Sequence, residues 1–124
     1  MTYLYIVVGA CLGAPLRYFV GSQFRPGLIG NFPVGTFVVN VTGCFVIGLL
    51  LEYAGERGSL SREARLLIVT GFLGSYTTFS AFGWETYDLA RLSEPLTAAL
   101  YAGLSVAVGV LAVWAGALLV RTLS

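Results

Sequence analysis

The chain contains no histidine and no lysine. Without histidine, the common zinc sites, imidazole acid–base chemistry and a serine triad have no residues to work with. Charge of either sign is scarce, at 10% of the chain, with seven arginines against six carboxylates. Its two cysteines, Cys11 and Cys44, each fall inside an apolar run. They read as small apolar residues rather than as a disulfide or a metal pair.

What is abundant is hydrocarbon. Hydrophobic residues make up 57% of the 124 positions and mean hydropathy is +0.86, the composition of an integral membrane protein. Apolar runs of roughly 20 residues, enough to cross a bilayer as a helix, cover 3–20, 34–53, 64–91 and 96–120. The joins between them are short and leave no room for a soluble domain. The expectation is an all-α membrane protein with four transmembrane helices in a single domain over 1–124. The first run has no basic segment ahead of Tyr3 and keeps Arg17 where an uncleaved helix ends, so it reads as a retained helix and not a signal peptide.

Basic residues near helix ends normally set which face stays cytoplasmic. One side carries Arg57, Arg62, Arg65 and Arg121; the other carries Arg17, Arg25 and Arg91. Four against three is almost no bias. The chain is predicted to insert both ways and to pair as an antiparallel, dual-topology homodimer.

The segment 71–82, GFLGSYTTFSAF, interrupts the third run with glycines and hydroxyl residues and carries no charge. Unpaired backbone groups at membrane depth cost several kcal/mol each, so such a stretch persists only where protein or a polar cavity receives them. It predicts a third helix broken in mid-membrane, a usual place for an ion or substrate site.

Other polar positions form stripes. Thr36, Asn40 and Gly43 share one face of helix two, and Tyr101, Ser105, Gly109 and Gly116 share one face of helix four. Gly9 and Gly13 give helix one a small-xxx-small pair. The glycines read as packing notches, whereas Asn40, an amide in hydrocarbon, fits a pathway role as well as a packing role. The polar groups Thr36, Asn40, Thr77, Thr78, Ser80, Tyr101 and Ser105 are uncharged hydrogen-bond donors. No acid lies at mid-depth in helices one, two or four, and Glu52, Glu85 and Asp88 lie towards helix ends. Donors without fixed charge suit a small anion in transit. Phe79 and Phe82, three residues apart, share a face where electropositive ring edges could line the path, although such a pair also serves ordinary packing.

Taken together, GACLGAPLRY at 9–18, GTFVVNVTG at 35–43 and GFLGSYTTFSAF at 71–82 resemble the CrcB family, the Fluc fluoride channels, over essentially the whole chain. The resemblance implies a passive, fluoride-selective channel that exports cytoplasmic fluoride across the bacterial inner membrane. It implies an antiparallel homodimer with two pores and a structural Na⁺ at the dimer interface. Carried over by motif, Asn40 donates its amide to fluoride, Phe79 and Phe82 line the pore, and Thr36, Ser80, Tyr101 and Ser105 supply hydroxyls. Arg17 and Glu85 stand at pore entrances, and backbone carbonyls of Gly74 and Thr77 hold the sodium. The chain differs from the family pattern at Ser75, Tyr76, Ala81 and Gly109. A positive φ at Ser75 would cost about 1 kcal/mol or more.

Two other classes compete. A small-multidrug-type proton-coupled cation exporter needs a carboxylate in helix one, which has none. A non-transporting scaffold subunit would explain the notches but not Asn40 or the polar break. An enzyme is disfavoured, because no acid, base or activated nucleophile converges at mid-depth.

Overall fold

The computed structural model describes residues 1–58 and 60–123, the side chain of Arg57 excepted, so that arginine's part in the charge balance lies outside the described set. Its regular elements are all helical: α1 (Thr2–Ser22), α2 (Val34–Arg57), α3 (Arg62–Ala64), a π-helical stretch (Arg65–Leu73), α4 (Gly74–Tyr76), α5 (Phe79–Arg91) and α6 (Pro95–Leu123). They compose four spans long and apolar enough to cross a bilayer. The third is the broken one, running Arg62–Arg91 through four pieces. Pro95 opens α6 at the first helical position, where its missing N–H costs nothing.

The break lies at Thr77 and Thr78, both extended, with φ/ψ of −82°/160° and −148°/118°. Thr77 ends the helix by donating its N–H and its hydroxyl to Leu73 O. Thr78 restarts it as an N-cap, its Oγ1 accepting the Ala81 N–H at 3.2 Å. Ser75 does not take a positive φ: among the described residues other than glycine, only Ser93 does. The Ser75 hydroxyl donates instead to Phe72 O at 3.0 Å, so the difference from the family pattern carries no backbone strain.

Glycines set the two main helix contacts. A Cβ on Gly9 would run into the backbone of Leu67, Gly71 and Phe72, and one on Gly13 into Phe72 and Ser75, so α1 lies directly on the π-helical stretch. Likewise Gly116 of α6 meets Phe45 and Leu49 of α2, while Gly48 of α2 meets Val113. Small residues are what let backbones approach this closely in a membrane. The π-helical winding was not expected from the sequence, where 65–73 reads as ordinary helix.

Little of the chain is buried by itself. The buried hydrophobics include Val39, Leu73, Tyr76, Leu89 and Tyr101, whereas Leu12, Phe79 and Trp114 are exposed. Apolar faces on this scale are made to meet lipid or another protein.

Candidate functional site

Breaking a helix frees backbone groups, and neighbouring helices receive them here. The Thr78 N–H donates to Asn40 Oδ1 at 2.8 Å, and Asn40 Nδ2 donates to Thr78 O at 3.0 Å. One amide on α2 thus satisfies both polar groups of one residue, reproducing the pairing of a backbone neighbour. From α1, Arg17 Nη1 reaches Thr77 O at 3.4 Å. Each such group left unmet would cost about 1–3 kcal/mol. A primary amide carries two N–H groups, so among the described residues Asn40 keeps one unspent.

Two hollows flank the break, and Thr78 lines both. The larger, about 1000 Å³, is a vestibule whose polar lining includes Arg17, Arg25, Thr36, Ser80 and Glu85. The smaller, about 370 Å³, is a mostly apolar cleft bordered by Asn40, Gly74, Thr77, Phe79, Phe82 and Ser105. Phe79 and Phe82 stand with ring centroids 5.6 Å apart, and Phe79 is 83% exposed. Ser105 Oγ is buried and has no hydrogen-bond partner among the described residues.

Tyr101 lines neither hollow. It is 0% exposed and sits between them, its ring 5.3 Å from Phe82 and 5.3 Å from Phe32. Its hydroxyl donates to Glu85 Oε2 at 2.6 Å, and the Thr36 hydroxyl donates to Glu85 Oε1 at 2.7 Å. Glu85 is therefore the centre of a cluster joining α2, α5 and α6. Each hydroxyl has a single proton, and both protons point at the carboxylate.

The structure thus divides the sequence-derived set. Asn40, Phe79, Phe82 and Ser105 meet in the cleft with Gly74 and Thr77; Arg17, Thr36, Ser80 and Glu85 meet in the vestibule; Tyr101 joins the two groups from inside the core. Sequence reasoning missed the Asn40–Thr78 pairing and the role of Glu85 as the acceptor for Thr36 and Tyr101. A signal for the first was present: an amide and a helix break, both costly in hydrocarbon, are each other's cheapest remedy.

Comparison with known proteins finds relatives over nearly the whole chain. The pattern of the CrcB-like protein family (camphor resistance, CrcB) matches residues 4–117. A fluoride-specific ion channel FluC of Acidobacterium capsulatum is 50% identical over 116 residues, covering 94% of this chain and 93% of the relative. Proteins of the same name from Rhizobium etli and Roseiflexus sp. are each 45% identical, over 97% and 99% of this chain and 96% and 99% of the relative. Matched from end to end in this way, the chain belongs to the CrcB family.

Proposed function

We propose that this chain is a passive, fluoride-selective channel of a bacterial cytoplasmic membrane and works as an antiparallel homodimer with two pores. The observation that carries the reading is the cleft beside the break. There Ser105, whose buried hydroxyl has no partner among the described residues, Asn40 with one N–H unspent and two phenylalanine rings border one small space. Fixed, uncharged donors and electropositive ring edges suit a small hard anion, and the relatives named fluoride-specific channels match nearly the whole chain. The vestibule, with Arg17 and Arg25 on its wall, is the entrance from which an anion would pass Thr78 to the cleft.

A second copy is part of this proposal. Phe79 and Gly74 are exposed in the single chain, and an exposed ring cannot enclose an ion until something covers it. The near balance of arginines, four against three, gives the copies no reason to share an orientation. The same pairing would give a sodium ion its ligands. The Thr78 N–H that would close a helical turn on Gly74 O is spent on Asn40, so that carbonyl has one donor fewer, while Thr77 O accepts from Arg17 and keeps a second lone pair for a cation. Two carbonyls from one chain are too few for a cation, and a twofold axis doubles them. The ion would tie the copies together and leave a positive charge near both pores.

Efflux from liposomes loaded with potassium fluoride or potassium chloride, with valinomycin carrying potassium, tests the function. Rapid fluoride release with chloride retained is expected. No fluoride release from a folded dimer would overturn the proposal and return attention to proton-coupled cation export.

A further inference from the structure

The proposed path leaves one sulfur without a role. Cys44 is a free thiol that borders the same cleft as Asn40, Phe79, Phe82 and Ser105. It stands one turn beyond Asn40 on α2, as Gly109 stands one turn beyond Ser105 on α6. The two turns face each other: a Cβ built on Gly109 would lie 3.4 Å from Cys44 Sγ, and beyond its own helix backbone it would meet nothing else within 4 Å among the described residues. Glycine at 109 leaves the thiol its room. A second observation falls on the same cleft: Ser105, in its wall, has its Oγ buried with no hydrogen-bond partner among the described residues, which is costly unless something meets the hydroxyl.

We infer that Cys44 lines the ion path one turn beyond the Asn40 and Ser105 donors, and that its thiol is the point at which a small soft electrophile closes the pore. The inference rests on the channel reading and deepens it. An S–H is a weak donor, so the thiol adds a third, softer contact to the donor line. With methylmercury chloride as the probe, an S–Hg bond forms, the Hg–Cl bond breaks, chloride leaves and the thiol proton passes to buffer. The methylmercury group then stands in a cleft of only about 370 Å³ beside both donors.

The test is valinomycin-driven fluoride efflux from liposomes holding the native protein, C11S or C44S, each before and after methylmercury chloride, with peptide mass spectrometry locating the capped thiol. Treatment is expected to slow native and C11S efflux roughly tenfold or more, and to leave C44S at its own untreated rate. Potassium fluoride, and not equal potassium chloride, should slow the capping of Cys44 in the native protein. That protection would not arise at a thiol that merely packs, and it serves as the test if C44S fails to fold. Native efflux that persists with Cys44 capped, a Cys44 that cannot be capped, equal protection by both salts, or a C44S still inhibited would each overturn the inference. An untreated native protein that passes no fluoride would instead overturn the channel reading itself.

Discussion

Truncating Asn40 and Ser105 to alanine should separate holding the break from contacting the ion. Asn40→Ala removes the 2.8 Å and 3.0 Å hydrogen bonds and leaves the N–H and C=O of Thr78 unmet. Each orphan costs about 1–3 kcal/mol, and hydrocarbon offers no water to replace the amide, so the expected loss is about 2–6 kcal/mol. Against a total stability on the order of 5–15 kcal/mol, that is a large share. Ser105→Ala removes a hydroxyl that has no partner among the described residues, so its stability should stay within about 1 kcal/mol of native or rise. Thermal denaturation of the purified variants in detergent reads the first effect, with the Asn40→Ala midpoint falling on the order of 10 °C and Ser105→Ala close to native. Fluoride efflux, measured where each variant is folded, reads the second, and both should conduct poorly. A native midpoint for Asn40→Ala would refute the claim that this amide holds the break. Native efflux through either folded variant would remove that residue from the path.

Phe79→Ile and Phe82→Ile keep apolar bulk and lose the ring edge, so each should slow fluoride efflux; undiminished rates would mean that the rings only pack. Tyr101→Phe deletes the 2.6 Å hydrogen bond to Glu85 and should cost about 1–3 kcal/mol in denaturation, an unchanged midpoint showing that Thr36 alone suffices. Gly9→Val drives a branched side chain into the backbone of Leu67, Gly71 and Phe72; no folded peak in size-exclusion chromatography is expected, and a native yield would contradict the contact. Exchange of sodium for a larger cation should weaken the dimer in cross-linking assays, and an indifferent dimer would leave Gly74 and Thr77 without their proposed ion.

The helices were legible because membrane spans need only length and hydropathy, and the break because 71–82 combines glycine and threonine at a depth where neither favours a helix. The glycines at 9, 13 and 116 were legible as notches for a similar reason, since spacing alone puts Gly9 with Gly13 on one face of helix one and Gly116 with Gly109 on one face of helix four. Partners were not legible. Nothing in the positions of Thr36, Glu85 and Tyr101 along the chain says that the two hydroxyls converge on the carboxylate, which depends on how α2, α5 and α6 rotate against one another. The reading of Thr36 and Tyr101 as hydroxyls along or beside the path did not include Glu85 as the acceptor of their protons. The π-helical winding of 65–73 was hidden as well, because a widened turn leaves the apolar composition of the segment unchanged.

The scarcity of unspent donors is itself an argument for passage rather than storage. Around the break the chain uses its polar hydrogens on itself: Thr36 and Tyr101 on Glu85, Ser75 on Phe72, Thr77 on Leu73, and Thr42 with Tyr76 at 2.8 Å. What remains unspent at the cleft, among the described residues, is one N–H of Asn40, the Ser105 hydroxyl and the weak Cys44 S–H, beside two phenylalanine rings. A site that ringed an anion with many donors would bind it tightly and release it slowly. A few donors fixed in place repay only part of the lost hydration, which admits an ion and lets it go. Fixity is then the requirement that matters, and it comes from Thr78: the pairing that closes the break also sets the angle of Asn40. On the proposed path the fold and the ion would share one pair of hydrogen bonds, so loosening the break should lower the fluoride-over-chloride ratio in liposome efflux before it unfolds the chain.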